Sequence, residues 1–131
     1  MYFIFLLFIE LKMAVSRFQI ASNKKSALSK QNMRAAAVLL AEDPPKEEKA
    51  RIIAESLIRD DNMVEAYDIL SMSCQLLFER MKLIEYSKEC PPDLISTIST
   101  LIYAAPRVVR WKKMNPSIIV LQDLSHFLVF L

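Results

Sequence analysis

Glycine is missing altogether from this chain of 131 residues. Tight hairpins, bulges and phosphate-cradling loops rely on residues that accept positive φ, so the absence argues against β-sandwiches, dinucleotide-binding α/β units and P-loops. What remains is a helical protein, and one domain is expected at this length. Histidine occurs once, at His126, and cysteine only at Cys74 and Cys90. With no Cys-x-x-Cys and no histidine pair there is no tetrahedral metal ligand set, and because the lone His126 sits in the apolar tail a serine triad has no suitable base. The two cysteines stand in unlike contexts, one on an apolar helix face and one beside prolines, which reads as unpaired thiols in a reducing compartment. No apolar run approaches the roughly 20 residues that span a bilayer.

Hydrophobic residues nevertheless make up 53% of the chain, above the usual share for a soluble domain. The excess lies largely at the ends, in Tyr2 to Ile9 and in Phe127 to Leu131. The first run lacks a preceding Lys or Arg, and Glu10 and Lys12 follow it directly, so a cleaved signal peptide is not expected. Net charge is only +2 but unevenly spread. From Leu11 to Ala41 the charged residues are Lys12, Arg17, Lys24, Lys25, Lys30 and Arg34, with no Asp or Glu. From Pro44 to Cys90, ten acidic residues face seven basic ones. Two readings stay open: a basic and an acidic helix that attract each other, or a basic face that meets an acidic partner or membrane surface. The candidate residues for that face are Arg17, Lys24, Lys25, Lys30 and Arg34. Lys30 and Arg34 share one side of a helix, and Arg17 and Lys24 a neighbouring one.

The prolines divide the chain. A first helix is expected from about Leu11 to Ala41, ending before Glu42, Asp43, Pro44 and Pro45 because the residue before a proline is pushed out of the α region. Asp43 is placed to cap the second helix, with Pro44 at its first position. No further proline occurs until Pro91, so that helix is expected to exceed 40 residues and to run unbroken through Ser71 to Ser73. A seam at Met63, Tyr67, Leu70, Cys74, Leu77, Met81 and Ile84 steps by four and three. A second stripe, Ile58, Ile69, Leu76 and Leu83, lies about 100° or more away, ready to receive later elements. Two such faces favour a bundle over a free coiled coil. After Pro91 and Pro92 a short helix presents Leu94, Ile98, Leu101 and Ile102 on one side and ends near Pro106. A basic connector around Trp111 follows, and Asn115 and Pro116 open a last helix with Ile118, Ile119, Leu121 and Leu124.

Nothing in this pattern carries chemistry. Glu47 with Glu48 and Asp60 with Asp61 are adjacent on a helix, so each pair diverges by about 100° and shares no reacting centre. Seven methionines at helical spacing read as core filling. The acidic second helix and a pI near 8.6 leave too weak a field for nucleic acid. The residues describe a non-enzymatic helical interaction module without cofactor or metal.

Eight short motifs stand in the order and spacing of a known family: Leu11-Lys-Met-Ala-Val-Ser-Arg17, Asn23-Lys-Lys25, Ala50-Arg-Ile52, Ile58-Arg-Asp-Asp61, Glu65-Ala66, Asp68-Ile-Leu70, Lys88-Glu-Cys-Pro91 and Leu101-Ile-Tyr-Ala-Ala-Pro-Arg107. Together they resemble the N-terminal domain of the increased-sodium-tolerance family, ESCRT-III-like regulators of the vacuolar protein sorting AAA ATPase. The resemblance covers residues 11–124. It implies an all-α, ESCRT-III-like long helical hairpin with shorter helices packed on it. It also implies binding to charged multivesicular body proteins, assembly with them as a polymer or hetero-oligomer, and action in multivesicular body sorting, membrane scission and cytokinesis. The expected location is the cytoplasm, with recruitment to endosomal membranes or the midbody.

Residues 1–10 and 125–131 depart from the family pattern as atypical apolar ends, and the family's C-terminal tail is not in this sequence. Because that tail carries the short helices that recruit the ATPase, direct ATPase binding is not expected of this chain. A gene model with altered ends, and translation starting at Met13, is one reading of the apolar termini. A hydrophobic anchor on a small membrane-anchored helical protein unrelated to sorting is the other.

Overall fold

The computed structural model describes residues 2–87 and 90–108, and all of its elements there are helices: α1 (Tyr2–Ala41), α2 (Glu47–Tyr86) and α3 (Pro92–Val108). The all-α expectation holds, with α1 and α2, 40 residues each, as the long arms and α3 as the short helix. α1 begins at Tyr2, nine residues before the predicted start at Leu11. The apolar run 2–9 contains no helix breaker and places Leu7 (3% exposed) in register with Leu11 (1%), so helix and core continue through it. The connector around Trp111, the helix predicted from Asn115 and the apolar end 125–131 lie outside the described residues.

α1 stops where predicted, but its successor starts later. Pro44 and Pro45 occupy the reversal instead of the first turn of α2, and the Asp43–Pro44 peptide is cis. Lys46 closes the connection: its N–H donates to the Leu39 carbonyl at 3.1 Å, and its own carbonyl accepts from Ala50 N–H at 3.1 Å. Lys46 also pairs with Glu42. The cap position therefore falls on Lys46 rather than Asp43, and Glu47 and Glu48 place negative charge on the positive end of the α2 dipole. α2 passes through Ser71 to Ser73 without a break, as expected, and ends at Tyr86. α3 has Asp93 in its first turn and Arg107 in its last, a favourable arrangement at both ends.

The chain forms two compact units. One contains the described residues up to Arg17 and from Leu70 onward; the other is Phe18–Ile69. In the first unit α2 lies between two partners. Phe78 stacks on Phe8 of α1, with ring centroids 4.1 Å apart, and Ser71 Oγ donates to the Val15 carbonyl at 3.5 Å. Arg80, about 160° around α2 from Phe78, pairs with Asp93 at the start of α3 at 3.6 Å. Between those directions Leu70, Cys74, Leu77, Met81 and Ile84 are buried, together with Leu94, Ile98 and Leu101 of α3. The predicted seam is thus the core, except at Met63, which is 38% exposed. The predicted second stripe is not core: Ile58, Ile69, Leu76 and Leu83 are 63%, 50%, 40% and 53% exposed. α3 is met instead on the Arg80 side of the seam, which turns far enough from Phe78 for one helix to serve two neighbours.

Leu77 is 1% exposed at the centre of this unit. Replacing it with Asp places a charge without a partner in the core, and Leu77→Ala removes about 2–5 kcal/mol. The expected outcome in a circular dichroism melt is loss of the cooperative transition for Leu77→Asp and a lowered midpoint for Leu77→Ala; unchanged melts would show that the seam is not core.

Candidate partner-binding surfaces

In the Phe18–Ile69 unit the facing residues of α1 and α2 form two regular series. Ser22 Oγ donates to Asp68 Oδ1 at 2.9 Å, and seven residues on, Ser29 Oγ donates to Asp61 Oδ1 at 3.1 Å. Phe18 faces Tyr67 with ring centroids 6.1 Å apart, and seven residues on, Lys25 Nζ meets Asp60 Oδ1 at 2.9 Å. Each step forward by seven in α1 is a step back by seven in α2, as antiparallel heptads require. The serines are buried and small, which lets the two backbones approach while each hydroxyl satisfies itself on a carboxylate.

This series answers part of the charge question. Lys25 is turned inward: its side chain is 32% exposed and that of Asp60 15%. One of the five candidate cations therefore serves the hairpin itself, as the reading of mutually attracting helices required. Lys24, Lys30 and Arg34 are exposed and make no ion pair with any described residue. Lys30 and Arg34 lie on one flank of α1 and Lys24 on the opposite flank, so the exposed cations do not form a single patch. Arg17 is half-buried and belongs to the other unit.

In that other unit the N-terminal turns of α1 carry an apolar surface that the sequence reading did not identify as a site. Phe5, Ile9 and Met13 are 63%, 39% and 37% exposed along one side of the helix and, with Phe8, Lys12 and Arg17, line a shallow depression. Beside it a groove of about 280 Å³ runs between Ile4, Phe5 and Phe8 of α1 and Met81, Lys82 and Glu85 of α2. The signal was present in the steps of four from Phe5 to Met13, but the apolar run had been assigned to an atypical end outside the domain. Among the described residues no cluster of His, Cys, Asp and Glu is placed to hold a metal, and no helix is long and apolar enough to cross a membrane.

Two buried ionisable groups are displaced. Burial pushes the Tyr67 phenol from 10.0 up to about 12 and the Cys74 thiol from 9.0 up to about 12, because neither anion is solvated there. Both cysteines are free thiols, Cys74 buried and Cys90 half-buried.

Within each unit α1 and α2 run antiparallel, and in one of them the short α3 docks on α2; helices paired in this way are those of an ESCRT-III-like helical domain. Residues 9–120 match the family model described as "Ist1: Regulator of Vps4 activity in the MVB pathway", and the chain belongs to that family, the one its motifs resemble. It is 39% identical over 100 residues to the IST1-like protein of Dictyostelium discoideum, a match covering 76% of this chain and 27% of that protein. To the vacuolar protein sorting-associated protein IST1 of Saccharomyces cerevisiae it is 38% identical over 102 residues, covering 72% of this chain and 34% of that one. The chain thus spans about a third or less of the length of these relatives. The crystal structure of the S. cerevisiae Ist1 N-terminal domain in complex with the Did2 MIM motif superposes with a TM-score of 0.75 and 31% identity, covering 98% of this chain and 68% of that one.

The displaced groups predict how stability depends on pH. The folded state holds both protons more tightly than the unfolded chain, so the unfolded chain loses protons first and stability falls as pH rises. Stability is therefore expected to be retained up to about pH 9, where the unfolded thiol begins to ionise, and to decline further above pH 10 as the phenol joins it. In a Cys74→Ala variant the onset should move up toward pH 10, which urea midpoints measured across this range would show.

Proposed function

We propose that this chain is a non-enzymatic scaffold and regulator of the ESCRT-III machinery in multivesicular body sorting and membrane scission. In this reading it binds the C-terminal helix of a charged multivesicular body protein. One observation carries it: the yeast domain that superposes on nearly all of this chain is itself seen with a Did2 MIM motif, at 31% sequence identity. A groove between packed helices accepts an amphipathic helix by its apolar face, and a helical domain with several exposed apolar faces suits that mode. The family's description adds regulation of Vps4; we assign to residues 11–124 the ESCRT-III-binding part of that task. Assembly with ESCRT-III subunits as a polymer or hetero-oligomer follows from the same reading. So does a cytoplasmic location with recruitment to endosomal membranes or the midbody.

The test is a pair of titrations on the full chain, one with a Did2-type MIM peptide and one with the isolated microtubule-interacting-and-transport domain of the ATPase. Saturable binding to the peptide alone is expected. Binding to the ATPase domain alone would move the recruiting surface into the helical core and overturn the assignment, and binding to neither by a folded chain would reject it.

We assign Lys30 and Arg34, which share one flank of α1, to contact with an acidic surface; Lys24 lies on the opposite flank, and Arg17 is half-buried in the other unit. The lack of ion pairs at Lys30 and Arg34 among the described residues supports this, whereas Lys25 is engaged by Asp60. Each such charge contributes about 1 kcal/mol near an anionic bilayer. Reversing Lys30 and Arg34 to Glu is expected to lower sedimentation with acidic liposomes by about tenfold or more in affinity, with a larger effect at low salt. Equal sedimentation of variant and parent would remove these residues from the surface.

A further inference from the structure

The Phe18–Ile69 hairpin is built the wrong way round for a hydrophobic bundle. Its hydrophobic residues buried below a tenth of their surface are Phe18, Ala50 and Tyr67 alone among the described residues, and its seam also buries Ser22 and Ser29. Apolar side chains are turned outward: Ile20, Met33, Val38, Ile52 and Ile58 are each more than half exposed. Beside the Phe18–Tyr67 ring contact and the half-buried Leu39, Ile53, Leu57 and Val64, the specific links between the two arms are the ladder of Ser22 with Asp68, Ser29 with Asp61 and Lys25 with Asp60. Each of those contacts exchanges hydrogen bonds with water for hydrogen bonds within the protein, so its net contribution is small, and the ion pair weakens further with salt. The other unit closes on Leu11, Leu77, Leu94 and Leu101, all 1% exposed or less, and apolar burial of that kind has no such competition from water.

We propose that the Phe18–Ile69 hairpin is a polar zipper, a separate cooperative element whose arms part while the unit containing Leu77 stays folded. Local opening of this kind is drawn from regions with few buried apolar contacts. Parting the arms releases Lys25 and the carboxylates of Asp60, Asp61 and Asp68 to solvent and uncovers the Phe18 and Tyr67 rings. It requires no change in α3. The heptad repeat of the ladder lets the arms reclose in the same register.

Hydrogen exchange followed by mass spectrometry on the full chain tests this. Amides of residues 20–40 and 50–66 are expected to exchange about tenfold or more faster than those of 7–16 and 71–84. Raising NaCl from about 0.05 to 0.5 M should accelerate the first group and leave the second unchanged. Replacing both sides of the ladder together, with Ser22→Ala, Ser29→Ala, Asp61→Leu and Asp68→Leu, converts it to an apolar seam. Because swapping both partners of a part-buried polar contact for apolar groups adds apolar burial where the serines already lie inside, exchange in the hairpin should slow about tenfold, again without effect on the other unit. Equal protection of the two units overturns the proposal. So does faster exchange in the hairpin that responds neither to salt nor to the ladder replacement, since that is fraying of helix ends. The salt measurement uses the unaltered chain, and so decides the matter even if the fourfold variant does not fold.

Discussion

The antiparallel heptad register between α1 and α2 is the constraint on which the rest of the structure depends. In the unit closed by Leu77, Phe8 meets Phe78 and Val15 meets Ser71. In the hairpin unit, Phe18 meets Tyr67 and Lys25 meets Asp60, while Ser22 meets Asp68 and Ser29 meets Asp61. Every one of these pairs has its counterpart seven residues along. A slip of one residue would turn Ser22 and Ser29 away from their carboxylates and bury others unpaired, at a cost of about 1–3 kcal/mol for each orphaned group. The polar contacts thus specify the pairing more than they stabilise it, a role best known for single polar residues in coiled coils.

That division of labour explains how one pair of helices supports two units of different character. Where α3 is present, α2 is buried on two sides and its seam is filled by Leu, Met, Ile and Cys74. The hairpin unit contains no third helix among the described residues, and a two-helix hairpin exposes too much of each arm for apolar burial to dominate. Its seam can therefore carry polar contacts, since Asp61 and Asp68 keep part of their surface in water. The same geometry sorts the cations of α1: Lys25 lies on the seam and finds Asp60, while Lys24, Lys30 and Arg34 lie on its flanks.

Membership of the Ist1 family rests on residues 9–120, which take in most of α1 and all of α2 and α3. The apolar side of α1 at Phe5, Ile9 and Met13 sits at the margin of the family match, which begins at residue 9. These first turns are a continuation of the domain's own helix in this chain, and their Leu7 is part of its core.

Much of this was legible in the sequence. The absence of glycine and the spacing of prolines marked out the three described helices, the stop of α1 and the start of α3, because those residues act locally on φ, ψ and the backbone N–H. The four-and-three steps from Tyr67 to Ile84 determined the core seam, and the eight motifs pointed to the family. Only the tertiary structure decided that the second stripe would stay exposed. Periodicity marks Ile69, Leu76 and Leu83 as a face, but whether a face is buried depends on where the neighbouring helices lie, and these three remain 50%, 40% and 53% exposed. Tertiary structure likewise separated Lys25 from Lys24, neighbours of identical chemistry. The 100° between consecutive helical positions matters only once a second helix, carrying Asp60, lies against one of them.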